Sequence, residues 1–379
     1  MKVALAGARV FDGETLLQGR AVIIEGSHIA AVVPEGQIGG IERRNVSGLL
    51  APGFIDTQVN GGGGVLFNDQ RSVAGIRAIG AAHRRFGTTG FLPTFVSDTP
   101  AHMAEAIAAA RQAVADHVPG MLGIHLEGPF LNPARRGVHD AATIRPITDA
   151  DVRVIGDAAK NIPVVLTIAP ERVPVATLAR LAEAGVILSA GHTEADYEVV
   201  KAACANGVRG FTHLYNAMPP LAARAPGPVG AALETEEAWC GIIADMHHVS
   251  AAPLRVAFMV KGAERMMLVT DAMPVVGTAA GGFDLGGRHI TRTGNKLTTE
   301  EGTLAGADLD MATAVRNCVM VLGLPIEAAL QMASRTPAEF LGRGGDLGRI
   351  APGYRSDLVL LDDDLRVAAT WIEGREEAL

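Results

Sequence analysis

"GFIDTQVNGGGG", residues 53–64, is the stretch whose reading decides the fold. An apolar run, Gly53-Phe54-Ile55, meets Asp56, then polar Gln58 and Asn60, then four glycines, Gly61 to Gly64. An apolar strand that ends in polar side chains and a glycine loop has the pattern of an active-site floor. Working outward, the same pattern recurs. Strand-like stretches fall at 53–57, 89–96, 121–127, 162–169, 185–191, 209–213, 240–245 and 266–271. Ala-rich segments of helical spacing separate most of them, as at 72–85, 101–116, 174–184, 194–205 and 251–261. Eight strand–helix units in series predict an α/β fold, a (β/α)8 TIM-like barrel. Asp98 and Thr193 are read as helix caps. "PPLAARAPGPVGAAL", 219–233, reads as a long loop, 277–304 as a hairpin insertion, and 307–322 and 325–341 as closing helices.

The two ends of the chain read differently. Residues 1–50 and 344–379 carry short β patterns between Gly, Asp and Pro breaks, with no helical period. They are expected to pair into one small β domain formed by both termini, with the barrel, 51–343, inserted between them. Hydrophobic residues make up 48% of the chain, charged residues 20% and aromatics 4%. That leaves a large core built from Ala, Val, Leu and Ile, which suits buried parallel strands.

Charge and cysteine usage exclude several classes. A net charge of -8 without a Lys/Arg run argues against a nucleic-acid partner. No stretch nears the roughly 18 apolar residues of a membrane helix. The opening "MKVALAGARVF" has too short an apolar run for a signal peptide and continues into a strand pattern. Cys204, Cys240 and Cys318 are odd in number and scattered. They form neither a disulfide framework nor a Cys-based metal site and fit a reducing, cytoplasmic setting.

Barrel active sites gather at the C-terminal strand ends. Those ends carry Asp56, Gln58 and Asn60; Glu127; Thr167 and Glu171; His192; His213; Asp245 with His247 and His248; and Asp271. Glu127, His192, His213 and Asp271 together have the composition of a divalent-metal hydrolase. A bound ion of this kind brings the pKa of its water towards neutrality. A carboxylate that is not a ligand can then take the proton and return it to the leaving group. Singly, each has an ordinary explanation: a salt-bridged strand end for Glu127, a helix N-terminal residue for His192, a core histidine for His213, a cap for Asp271. Four such ends in one apolar barrel make a site. His125 lies two residues before Glu127, on the same side of the strand but deeper, and is assigned hydrogen-bond support. His83, His102 and His117 read as surface residues of helical segments, and His28 and His289 as turn residues.

Seven stretches in order, "APGFIDTQVNGGGG", "HLEGPFLNPARRGVH", "SAGHT", "THLYNAMPPLAAR", "GIIADMHHV", "LVTDAM" and "GTLAGADLDM", resemble the N-acetylglucosamine-6-phosphate deacetylase family of the amidohydrolase superfamily. The resemblance implies that the small domain formed by both termini is β-sandwich-like. It implies hydrolysis of the N-acetyl group of an amino-sugar 6-phosphate, a small-molecule substrate. It implies Glu127, His192 and His213 as metal ligands and Asp271 as general base, then acid. His139 would hydrogen-bond the amide carbonyl oxygen. Asn216, Ala217 and Leu304 would contact substrate. Arg224 and His248 would grip the phosphate in the partner subunit's site, implying a homodimer. On chemistry alone His247 serves as well as His248; only the motif register separates them.

The superfamily often carries His-x-His on the first strand and a bridging Lys on the fourth. Here the first is Gln58-Val59-Asn60, and "VVLTIAPE" has no Lys. That implies the Gln-x-Asn subgroup, with one divalent metal ion per subunit; Zn is the first choice, and Fe, Co and Mn also fit. Gln58 and Asn60 are expected to hydrogen-bond the ion's water or loop backbone. Three other readings stand beside this one: the N-acetylgalactosamine 6-phosphate version, a cyclic-amide or deaminating amidohydrolase, and a catalytically inert scaffold.

Overall fold

The computed structural model describes residues 2–378. All eight barrel strands form: β1 (Phe54–Val59), β2 (Thr88–Val96), β3 (Ile124–Glu127), β4 (Val164–Ile168), β5 (Ile187–Ala190), β6 (Val208–Phe211), β7 (Trp239–Ile242) and β8 (Met266–Leu268). They pair in parallel in the order β8-β7-β6-β5-β4-β3-β2-β1. Nearly every residue in them is buried. Parallel strands covered on both faces require such continuous apolar runs.

The helices are α1 (Val73–Arg84), α2 (Pro100–Ala115), α3 (Asp149–Ala159), α4 (Val175–Glu183), α5 (Tyr197–Cys204), α6 (Gly227–Glu234), α7 (Ala251–Lys261), α8 (Met311–Met320), α9 (Ile326–Ala333) and α10 (Arg335–Phe340). Several sequence expectations need correction. The stretch read as a long loop holds α6; its prolines sit before and within the first turn, where no intrahelical N–H is needed. Residues 277–304 form a three-stranded antiparallel sheet, not a hairpin. The last helical segment breaks at Ser334 into α9 and α10. Helix α2 is capped by Thr99, while Asp98 accepts from Thr99 N–H and meets His102. Helix α5 starts at Tyr197 and is capped by Asp196, while the Thr193 hydroxyl accepts Ala195 N–H at 2.9 Å and donates to Glu171. His83 is not a surface residue. It is fully buried, and its Nε2 lies 2.9 Å from the Gly61 carbonyl. A Cβ on Gly62 would lie 2.7 Å from that nitrogen, so the glycine loop seats on α1 only without a side chain.

The terminal strands form two sheets. One is four-stranded, in the order His28–Pro34, Arg20–Glu25, Lys2–Ala6, Glu42–Asn45. The other is six-stranded and draws on both ends of the chain, with Leu49–Pro52 beside Leu358–Leu361. Leu5, Val22, Ile24, Leu50, Leu358 and Trp371 share one core between them.

The barrel closes between β8 and β1 with little ladder. Asp271 N–H donates to Gln58 O, and Asn60 N–H to Ala272 O, each at 3.0 Å. Asp56 supplies the rest. Its carboxyl accepts the Thr270 hydroxyl at 2.5 Å, Thr270 N–H at 3.3 Å and Gln58 N–H at 3.1 Å. Asp56 is therefore a seam clamp. Burial pushes its pKa up to about 7 from the usual 3.8. Between those values the native state holds a proton that the unfolded chain releases. The Asp56 contribution to stability is therefore complete below about pH 4 and is lost as pH rises through about 7. Asp56→Asn is neutral throughout. Its stability relative to the parent should rise between about pH 4 and pH 7, measured by denaturant unfolding; a pH-independent difference would contradict the assignment.

Candidate active site

A cavity of about 530 Å³ opens at the C-terminal mouth of the barrel, and Glu127, His139, His192, His213, His248 and Asp271 line it. That size suits a small-molecule ligand. Three of these residues sit in left-handed backbone that side chains rarely adopt: φ is 50° at His192, 32° at His213 and 52° at Asp271. Ala217 at the same mouth has φ 51°. Such geometry persists only where surroundings over-determine it, and it concentrates at functional sites.

Glu127, His192 and His213 converge. Glu127 Oε1 lies 3.1 Å from His192 Nε2 and 3.0 Å from His213 Nε2, and the two nitrogens are 3.1 Å apart. His192 Nδ1 donates to the Arg135 carbonyl at 2.8 Å. Its proton is therefore on Nδ1, and Nε2 presents a bare lone pair to a carboxylate oxygen. Two acceptors aimed at one point suit a cation. A tetrahedral ion with bonds near 2.0–2.1 Å spaces its ligand atoms by roughly 3.3 Å, close to the edges seen here. Burial would raise the Glu127 pKa, but the two imidazoles that face it, His192 and His213, hold it well below the usual range. His213 Nδ1 is buried without a partner.

His139 also approaches, with a ring nitrogen within 4.8 Å of Glu127 and His192 ligand atoms. Its Nδ1 accepts Ser97 N–H at 3.3 Å and lies 2.8 Å from the Ser97 hydroxyl. That puts the His139 proton on Nε2, making the free side of the ring a donor rather than a ligand. Burial lowers its pKa to about 3, so it stays neutral.

The strand-1 pair has a clear place. Gln58 Nε2 lies 3.2 Å from both Glu127 Oε1 and Asp271 Oδ1, and Asn60 Nδ2 lies 2.6 Å from Asp271 Oδ1. Their amides bond carboxylates rather than loop backbone, the second of the two partners expected from the sequence beside the ion's water. Burial first, then the Glu127 charge, raises the Asp271 pKa. His125 lies deeper, as expected, between the hydroxyls of Thr94 at 3.2 Å and Thr167 at 2.8 Å. Burial lowers its pKa to about 4.

The remaining candidates divide. His248 Nδ1 donates to Asp245 at 2.7 Å, and the ring lines the cavity. His247 is exposed and bonds Asn295 at 2.8 Å, so geometry separates the pair. The resemblance put both His248 and Arg224 in a partner's site. His248 instead lines the cavity of its own chain, whereas Arg224 is exposed and outside it. Asn216, Ala217 and Leu304 line the cavity. Sequence reasoning missed Ser97 and Arg135, which fix His139 and His192. Ser97 carries no motif signal, and Arg135 acts through its backbone.

Residues 49–376 match the model of the Amidohydrolase family, and residues 3–50 that of the NagA composite domain. The chain belongs to the amidohydrolase family. Among its relatives, an N-acetylgalactosamine-6-phosphate deacetylase from Shewanella sp. (strain ANA-3) is 43% identical, with 96% of each chain covered. An N-acetylglucosamine-6-phosphate deacetylase from Haemophilus influenzae is 33% identical over 99% of each. The crystal structure of N-acetylglucosamine-6-phosphate deacetylase from Pasteurella multocida superposes with a TM-score of 0.97, at 32% identity and full coverage of both chains. Within this amidohydrolase, the buried cluster of Glu127, His192 and His213, with His139 within 4.8 Å of the first two, points to a divalent metal. No helix among the described residues is long and apolar enough to cross a membrane.

Proposed function

We propose that the chain hydrolyses the acetamide of N-acetyl-D-glucosamine 6-phosphate, giving acetate and D-glucosamine 6-phosphate, in amino-sugar catabolism and cell-wall sugar recycling. The observation that carries the reading is the convergence of Glu127, His192 and His213 beside Asp271 in one cavity of an amidohydrolase barrel. Glu127, His192 and His213 hold one divalent ion, taken as Zn, with Fe, Co or Mn compatible. When bound, that ion supplies Lewis acidity to the attacking water and the amide carbonyl.

The chain's own groups do the rest. Asp271 takes a proton from the water as the new C–O bond forms. It returns that proton to the sugar nitrogen as the C–N bond breaks. Its Oδ1 is held by Asn60 and Gln58, which leaves Oδ2 to carry the proton. A raised pKa suits a carboxyl that must act as base and then acid. His139 donates from Nε2 to the carbonyl oxygen as negative charge grows there. Asn216 and the Ala217 backbone bind the sugar phosphate, and Leu304 walls the cavity. His248 grips the phosphate. Arg224 adds a planar fork for phosphate oxygens from the partner in a homodimer. We place the boundaries at 1–50, 51–343 and 344–379, and the protein in the cytoplasm, where its three free cysteines stay reduced.

Removing the Asn60 donor destabilises the Asp271 anion. Asn60→Leu should therefore move the acid limb of the kcat/KM profile to higher pH, with a loss of order tenfold at neutral pH. An unshifted limb would contradict the assignment. The second reading is the C4 epimer, N-acetylgalactosamine 6-phosphate, favoured by the 43% identical relative. Acetate release from both epimers, compared as kcat/KM, tests the choice: the glucosamine reading expects the gluco substrate to be preferred. Equal turnover without the 6-phosphate would remove the phosphate roles of Arg224 and His248.

A further inference from the structure

We infer that Glu171 is a positioning residue that fixes His192 by stapling the loops after β3 and β5. The inference rests on the metal reading above. Glu171 follows β4 on a single turn, Pro170–Arg172, and is half-buried. Its Oε1 accepts Asn132 Nδ2 at 2.9 Å and the Glu194 backbone N–H at 2.8 Å. Its Oε2 accepts the Thr193 hydroxyl at 2.5 Å. One carboxylate therefore spends three acceptor positions on two loops that carry no ladder between them.

Those loops set the His192 ring. Asn132 N–H donates to the His192 carbonyl at 2.9 Å, and the Asn132 side chain is the group that Glu171 holds. The two residues that follow His192, Thr193 and Glu194, are held by the same carboxylate. His192 Nδ1 donates to Arg135 O in the other loop, and the Arg135 side chain meets Glu194 across the gap. His192 has φ 50°, so its backbone relaxes unless both flanks are tied. Untying Glu171 frees the loop bearing the ligand and the loop bearing its carbonyl partner together. Partners that orient a ligating imidazole typically change metal affinity 10–100-fold when lost.

The test is zinc affinity by competition with a chromogenic chelator, together with the Tm of the metal-free protein. Glu171→Ala should weaken zinc binding by about 10–100-fold, while the metal-free Tm moves by less than about 3 °C. Glu171→Gln keeps two of the acceptor positions and should fall between Ala and the parent. Thr193→Val removes the Oε2 staple, and with it the acceptor for Ala195 N–H, and should weaken zinc in the same direction. It decides the matter if Glu171→Ala does not fold. Parent-like zinc affinity in Glu171→Ala overturns the inference, whatever the Tm does, because the carboxylate then braces surface loops only. A parent protein that takes up no zinc overturns the metal reading and this inference with it. Normal affinity in the variant overturns this inference alone.

Discussion

Asp271→Asn lowers kcat for acetate release by roughly 10²–10⁴-fold, the span for removing a positioned acid–base group, with KM little changed. The substitution keeps the shape of the side chain. The Asn oxygen can still accept from Asn60 and Gln58, which hold Oδ1 at 2.6 and 3.2 Å. The amide nitrogen then stands where the proton-carrying oxygen belongs, and it can neither take nor return a proton. Zinc content should match the parent, because Asp271 is outside the close triangle of Glu127, His192 and His213. Loss of metal together with activity would instead make Asp271 a ligand. Retention of most activity would sink its role as base and acid.

His213→Ala removes one corner of that triangle. Zinc affinity should drop by more than the roughly 10–100-fold seen when only a ligand's supporting partner is lost, and acetate release should disappear at stoichiometric metal. His213 is the cleaner choice than His192, whose Nδ1 also ties two loops through Arg135. The pH dependence has a definite sign. Burial disfavours the His213 cation, but the Glu127 carboxylate outweighs it and raises the His213 pKa above the usual 6.5. Protons therefore compete with the ion for this nitrogen, and zinc affinity falls as pH drops through neutrality. Equilibrium chelator competition across pH measures it. An affinity that stays flat from about pH 8 to about pH 6 would contradict a His213 ligand.

Much of this architecture was legible in the sequence because a parallel barrel announces itself. Each strand is buried on both faces, so it reads as a short apolar block, and each block ends where the polar side chains begin. That is why the sequence alone lines up Glu127, His192, His213 and Asp271 at one mouth. Side-chain direction was harder. His83 sits in a helical segment and looked peripheral, yet it faces the glycine loop and is buried there. Gln58 and Asn60 were visible as replacements for stronger ligands. Their partners, two carboxylates from β3 and the end of β8, are separated by 69 to 213 residues in sequence and could not be read locally. Ser97 and Arg135 escaped for the same reason, and Glu171 was visible only as a strand-end residue without a role. Each acts by holding another residue, through contacts that only the closed barrel creates.

The stretch at 53–64 now has its parts assigned. Asp56 clamps the barrel seam, Gln58 and Asn60 orient Asp271 and Glu127, and the glycines let the loop lie against His83. None of these supplies the ligands for a second ion, so the catalytic count should be one. Titrating metal-free protein with zinc while recording acetate release from N-acetyl-D-glucosamine 6-phosphate tests this most directly. Activity should rise in proportion to zinc and stop rising at about one equivalent per chain. A break at about two equivalents, or no acetate at any loading, would contradict a single-metal deacetylase.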